Sequence, residues 1–336
     1  MKRILYIGNN LSQKSNYKTS IAILSDFLSQ EYTITVSSNK TNKILRLLDM
    51  CFQLIKKRPK IDIVLIDTFS SSAFYYAYIT SQLARLLKIP YIPILHGGNL
   101  PSRLDHSTKL CNALFKNAFK NVAPSGYLQY EFYKRGYDTV LIPNVLDLSL
   151  YTYRKRENIR PRLLYVRAFA EIYNPKMAIY VLQELKKTYP TAELCMIGPD
   201  RDGSLADVQN LVETLGLQDS VEFTGVLDKS VWHKKSEEYD LFINTTNFDN
   251  TPISVMEIMA LGLPIVSTNV GGLPYLLEDK KDAFLVEKND IYAMTQAIIK
   301  YLDDKQKVAD MSLKARQKVE KFDWKFVKKD WNHLLN

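Results

Sequence analysis

Apolar residues occur along the chain in two alternating rhythms. Short runs rich in β-branched and aromatic residues read as strands: Arg3–Ile7, Thr33–Ser37, Ile61–Ile66, Tyr91–Leu95 and Asn121–Ala123. Between them the pattern is helical. Strands that alternate with helices build a parallel sheet, since a parallel pair needs a crossover long enough to hold a helix. After Leu141 the segment IPNVLDLSLYTYRKRENIRPR breaks the rhythm with two prolines and several charges. The alternation resumes with Arg162–Val166, Leu194–Ile197, Val221–Thr224, Leu241–Asn244, Ile265–Ser267 and Ala283–Val286. This pattern predicts an α/β protein of two doubly wound, Rossmann-like domains, 1–150 and 151–318, with a ligand cleft between them at the carboxyl ends of their strands.

A chain of 336 residues suits two domains, and 46% hydrophobic with 24% charged residues excludes a disordered or fibrous protein. The start, MKRILYIGNN, has a short apolar run that ends at Gly8 with no small-residue cleavage site, so it reads as a first strand and not as a secretory signal. The most apolar region, Ser72 to Leu95, is interrupted by Arg85 and Lys88 and falls short of the roughly 18 uncharged residues of a spanning helix. Cys51, Cys111 and Cys195 lie far apart without metal-ligand spacing, as unoxidised thiols of a reducing compartment do. A cytoplasmic location follows as the expectation.

The formal charge of +9 points to an anionic partner. Its distribution is uneven. Thr41 to Ile55 sets Ile44, Leu48, Cys51 and Ile55 on one helical stripe flanked by Leu45, Leu47, Phe52 and Leu54, while Lys40, Lys43, Arg46, Lys56, Lys57, Arg58 and Lys60 surround or oppose it. Two readings stand open: a helix lying on an anionic membrane surface, peripheral to its inner face, or a helix whose stripe faces the core. Nucleic acid is not expected as a partner, because the charge is joined to no recognition module.

The stretch NTTNFDNTPISVMEIMALGLPIVSTNVGG, Asn244 to Gly272, carries the chemistry. Thr251 and Pro252 have the form of a helix N-cap and first helical residue. The amides of Ile253 and Ser254 in that first turn, with the helix dipole behind them, predict a phosphate site. Glu257 shares a largely apolar helix face with Ile253, Met256 and Ala260, where a carboxylate needs hydrogen-bond donors such as a ribose diol. Asp249 stands eight residues earlier, in the loop before the helix, within reach of sugar hydroxyls.

Two acids eight apart around a helix start, followed by ALGLPIVSTNVGG, resemble the donor-binding signature of the retaining family 4 glycosyltransferases, a GT-B fold family with a glycosyl transferases group 1 domain. The family usually has Glu where Asp249 stands; Glu257 matches unchanged. The resemblance implies that Asp249 and His96, in ILHGGNLP, act on the donor sugar as catalytic residues. It implies further that Arg167 and Lys176, in RLLYVRAFAEIYNPKMAI, hold the donor diphosphate together with the helix start Asn250, Thr251, Pro252, Ile253 and Ser254, that Glu257 binds the nucleoside, and that Gly8 lies in the loop approaching the diphosphate. The terminal FDWKFVKKDWNHLL resembles the family's last helix, which crosses back to the first domain, so 319–336 is expected to return there.

The function so implied is transfer of a hexose-type sugar, with retention, from a nucleoside diphosphate sugar to a hydroxyl of a glycan or lipid-linked acceptor, without metal or other cofactor. A sugar-nucleotide epimerase and a non-catalytic nucleotide-sugar-binding scaffold are the alternatives. Asp200-Arg201-Asp202 has the form of a metal-binding DxD but sits in the turn-rich GPDRDGS and reads as a turn. The chain has no GxxxxGK, GxGxxG after the first strand, HExxH or G-x-S-x-G, which disfavours ATPase, dehydrogenase, zinc hydrolase and serine esterase chemistry.

Overall fold

The computed structural model describes residues 1–10, 19–156 and 158–336. The chain divides into two compact units, Met1–Val145 with Trp324–Asn336, and Leu146–Asp323. Unit 1 carries β1 (Arg3–Ile7), β2 (Thr33–Ser37), β3 (Ile63–Thr68), β4 (Tyr91–Leu95), β5 (Val122–Ala123) and β6 (Val140–Leu141), in the sheet order β2-β1-β3-β4-β5-β6. Unit 2 carries β7 (Arg162–Val166), β8 (Glu193–Ile197), β9 (Val221–Gly225), β10 (Leu241–Asn244), β11 (Ile265–Thr268) and β12 (Phe284–Val286), in the order β12-β11-β10-β7-β8-β9. Every pairing in both sheets is parallel. The two-residue β6 is a strand the apolar pattern does not predict.

Parallel strands covered on both faces read as continuous apolar runs, and β3 is buried along its whole length. Alternate residues of β1 serve opposite layers. Leu5 and Ile7 pack with Met50, Leu54, Phe74 and Phe132, whereas Ile4 and Tyr6 pack with Ile21, Leu28, Val327 and Trp331. The C-terminal helix, Trp324–Leu335, therefore completes the second layer of unit 1. Trp324 stacks on Phe27 with ring centroids 5.2 Å apart, and Tyr32 donates a hydrogen bond to Asn332 Oδ1 at 2.9 Å.

In unit 2 helix Ile253–Leu261 is buried without a break from Val255 to Leu261, so it lies inside the unit and not on its surface. It ends where Gly262 adopts φ +77°, and Arg316 donates to the Ala260 carbonyl at 2.6 Å. Its start differs by one residue from the expectation. Pro252 is the N-cap and not the first helical residue, because its ψ of 119° is extended; its carbonyl accepts from the amides of Val255 and Met256.

Helix Lys43–Lys57 reaches the core of unit 1 through Met50 and Leu54, which leaves the Ile44–Leu48–Ile55 stripe outside. Among the described residues no helix is long and apolar enough to cross a membrane.

Trp331, 2% exposed, is the more deeply buried of the two tryptophans closing the second layer of unit 1. Trp331→Ala is expected to lower the unfolding free energy by about 3–5 kcal/mol through lost burial and a residual cavity, measured by urea titration of the whole chain.

Candidate functional site

The strand order of unit 2 reverses at its centre: β8 lies beyond β7, and β11 beyond β10. Loops leaving two such strands diverge and open a crevice at their carboxyl ends. Arg167 follows β7 directly, and the loop Thr245–Pro252 follows β10. Their side chains meet there. Arg167 forms an ion pair with Asp249, and the two side chains are 17% and 14% exposed. Burial pulls the guanidinium's pKa down, while Tyr173 and Tyr165 act against that shift. Nε of Arg167 is buried and, among the described residues, has no hydrogen-bond partner.

The loop after β10 is fixed by its threonines. Thr245 donates to the carbonyls of Tyr173 (3.0 Å) and Asn174 (2.8 Å), and Thr246 to that of Ile172 (3.2 Å). These bonds anchor the turn Glu171–Tyr173 so that the Tyr173 ring lies against Arg167, with the guanidinium carbon 4.3 Å from the ring centroid. Tyr173 is a site residue that sequence reasoning missed; its only signal is an aromatic just ahead of the Asn-Pro helix start. Lys176, assigned to the diphosphate, is placed elsewhere. Asn174 takes a left-handed conformation (φ 48°), helix Pro175–Lys186 begins at once, and Lys176 Nζ is held at the surface by Asp207 at 2.8 Å.

Asp249 accepts the amide of Asn250 through Oδ1 at 2.8 Å. The Val-Gly-Gly loop closes over this segment, and a Cβ on Gly272 would lie 1.7 Å from the Asn250 carbonyl oxygen, so only glycine fits. The helix start beyond is poorly satisfied. Pro252 offers no side-chain cap, and the hydroxyls of Thr251 and Ser254 are buried with no partner among the described residues. Orphan first-turn amides, the positive end of the helix dipole and two idle hydroxyls form a cradle for an anion.

Glu257 is buried deeper in the same helix, and its Oε1 accepts from Tyr151 at 2.7 Å and from Lys229 Nζ at 2.6 Å. Burial and the adjacent carboxylate hold the Tyr151 phenol protonated, far above its ordinary pKa. His233, against the Tyr151 ring at 4.6 Å, is pulled down to about 4 by burial and by Lys229, which keeps it neutral. Lys229 is a second residue the sequence did not disclose, since it lies 28 positions from Glu257.

In unit 1 the reversal falls between β1 and β3. Asp67, near the end of β3, is buried and accepts from Tyr6 at 2.9 Å; its Oδ1 meets His96 Nε2 at 2.7 Å. A carboxylate only accepts, so Nε2 carries the hydrogen and Nδ1 is the nitrogen left for a ligand. A Cβ on Gly8 would fall 2.3 Å from Asp67 Oδ2, so the glycine lets the loop after β1 approach this pair. Asp67 was not singled out in the sequence, though an acid closing the buried run IVLID is a signal for it.

Asp200 and Asp202 close a turn: Asp200 accepts the amide of Gly203, and Asp202 the amides of Ser204 and Glu171. A cavity of about 740 Å³ in unit 2, lined among others by Arg154, Lys155, His233, Lys234 and Glu237, includes none of the residues assigned from sequence.

The Glu257–Lys229 contact yields a stability prediction. Lys229→Met is expected to lower the unfolding free energy by about 1–3 kcal/mol because it strands a buried carboxylate. The double variant with Glu257→Gln is expected to lose less than the sum of the single variants in urea unfolding; strict additivity would show that the pair is not coupled.

Comparison with known proteins bears on this site. The family model described as Glycosyl transferases group 1 matches residues 152–318. An uncharacterized glycosyltransferase of Haemophilus influenzae is 31% identical over 157 residues, covering 46% of this chain and 43% of that protein. The amylovoran biosynthesis glycosyltransferase AmsK of Erwinia amylovora is 27% identical over 166 residues, covering 47% and 40%. The chain thus spans less than half the length of these curated relatives. Among solved structures, sucrose-phosphate synthase from Thermosynechococcus elongatus superposes with a TM-score of 0.81 at 15% identity, covering 99% of this chain and 98% of that one. Anabaena HepE in complex with UDP and glucose superposes with a TM-score of 0.77 at 18% identity, covering 100% and 99%. At such identities the likeness speaks to the fold, which is the two-domain, doubly wound GT-B class.

Proposed function

For a chain that belongs to the glycosyl transferases group 1 family through residues 152–318, we propose transfer of a hexose-type sugar from a nucleoside diphosphate sugar to a hydroxyl acceptor, with retention. The observation that carries this reading is the juxtaposition, at one switch point, of a buried Arg167–Asp249 pair and a helix start with unsatisfied hydroxyls. A diphosphate supplies the acceptors that the Arg167 Nε, the Thr251 and Ser254 hydroxyls and the Ile253 and Ser254 amides lack. A nucleoside places a ribose diol near Glu257, whose carboxylate has further lone pairs beyond those used by Tyr151 and Lys229.

In this mechanism Arg167 and the helix start meet the negative charge that grows on the departing diphosphate. Asp249 leaves Arg167 in favour of the sugar hydroxyls as the phosphate takes its place. His96, oriented by Asp67, is assigned to the donor sugar, and Gly8 to the loop near the diphosphate. Fixed cations and amides supply the charge a metal would otherwise bring, so turnover is proposed to need no divalent ion. The relative named for amylovoran biosynthesis makes a glycan or lipid-linked acceptor in polysaccharide assembly the proposed setting. HepE, crystallised with UDP and glucose, makes UDP-hexoses the first donors to test.

The test is donor turnover in a panel of UDP-, GDP- and dTDP-sugars with polyprenyl-linked and oligosaccharide acceptors, with and without EDTA. Turnover is expected to persist in EDTA. Arg167→Ala is expected to lower kcat/KM by about 100- to 1000-fold, as removal of a group that meets developing charge does. Tyr173→Ala is expected to lose roughly tenfold through the freed guanidinium, and Lys176→Ala no more than about threefold, since its amine is occupied at the surface. Equal losses at Tyr173 and Lys176 would restore the lysine to the diphosphate site.

A further inference from the structure

Helix Lys43–Lys57 is apolar on two opposite sides. Its inner side is fixed: Met50 and Leu54 are buried in the core, Arg46 donates to the Lys40 and Thr41 carbonyls and to Asn9 Oδ1, and Tyr76 donates to the Lys43 carbonyl. The helix therefore cannot roll to hide its outer side. That outer side shows Ile44 (71% exposed), Leu45 (57%), Leu48 (60%), Phe52 (56%) and Ile55 (55%). At about 100° per residue these five fall within an arc of roughly 100° centred away from Met50 and Leu54. A single exposed leucine needs no explanation, but five large apolar side chains in one continuous stripe mark a surface that is covered in use.

Charge names the cover. The stripe is bracketed by cations: Lys40 and Lys43 are exposed at its amino end, and Lys56, Arg58 and Lys60 are exposed at its carboxyl end. Lys56 Nζ lies 5.5 Å from the centroid of the Phe52 ring, its stem along the apolar stripe. Asp49 is the one acid of the helix, and it is turned to Ser37 and Gln53 at the margin. A protein partner with an apolar groove would not call for cations at both ends of the stripe and none within it. A bilayer with anionic headgroups calls for that arrangement, since apolar side chains enter the acyl boundary and flanking lysines remain at the level of the phosphates.

We propose that the outer side of helix Lys43–Lys57, through Leu48, Phe52 and Ile55 with Lys56, Arg58 and Lys60, docks unit 1 on an anionic lipid bilayer. The proposal is independent of the donor chemistry assigned to unit 2, and its test reads binding, not turnover.

The experiment is cosedimentation of the full chain with vesicles of phosphatidylcholine alone and of phosphatidylcholine with about one-third phosphatidylglycerol, at low and high salt, alongside size-exclusion chromatography with light scattering. The wild type is expected to bind the anionic vesicles, to be released as salt rises, and to bind neutral vesicles at least about tenfold more weakly. The variants Leu48→Ser with Phe52→Ser, and Lys56→Glu with Lys60→Glu, change exposed residues only and are each expected to weaken anionic binding about tenfold or more while keeping the wild-type melting temperature. Binding to neither vesicle, equal binding to both, or variants that bind as the wild type does would overturn the proposal. So would a wild-type dimer that Leu48→Ser with Phe52→Ser converts to monomer without loss of vesicle binding, which would make the stripe an interface between two copies.

Discussion

A guanidinium taken out of water loses hydration that only charge and hydrogen bonds restore, and unit 2 places Arg167 where burial already lowers its pKa. Asp249 is its counter-ion, the Tyr173 ring covers one face, and Nε is left without a partner among the described residues. Much of the local architecture serves this arrangement. The threonines after β10 grip the turn that carries Tyr173, and the Val-Gly-Gly loop presses on the backbone of Asp249 and Asn250. The pair sits where the strand order reverses, so its two halves come from loops that diverge and leave room for a ligand. In the proposed reaction an incoming diphosphate takes the place of Asp249 on Arg167, and the released carboxylate is compensated by the sugar hydroxyls it then accepts from.

Most of the scaffold was legible because parallel sheets demand it. Strands buried on both faces read as apolar runs, and Arg3–Ile7, Tyr91–Leu95, Arg162–Val166 and Leu241–Asn244 are strands to the residue, as is the half-exposed edge strand Thr33–Ser37. Ile61 and Asp62 were assigned to a strand that begins at Ile63, because the Asp62 carboxylate instead caps the strand edge by binding the amide and guanidinium of Arg3. Val140–Leu141 escaped notice since a two-residue edge strand with Leu141 exposed has no apolar period to read.

Site residues divided along a different line. Asp249, Glu257 and His96 stand in a loop before a helix, on an apolar helix face and after a buried strand, places visible in a sequence, whereas Arg167 was proposed from the family resemblance alone. Tyr173, Lys229 and Asp67 could not, since their importance lies in contacts that only the fold creates: an aromatic face on Arg167, an amine on Glu257, a carboxylate on His96. Lys176 is a different case. The family resemblance implies a place for it at the diphosphate, whereas the left-handed Asn174 and the immediate helix start turn it towards Asp207. The stripe of helix Lys43–Lys57 was visible as a pattern, but a pattern cannot say which of two apolar sides meets the core.

The measurement that bears most directly on the anion site is a crystal structure of the chain with UDP, grown without divalent metal. The account predicts the diphosphate at the start of helix Ile253–Leu261, on the amides of Ile253 and Ser254 and the Thr251 and Ser254 hydroxyls, with Arg167 on a phosphate oxygen and the ribose at Glu257. A diphosphate seated instead among Arg154, Lys155 and Lys234, with the Arg167–Asp249 pair undisturbed, would contradict it.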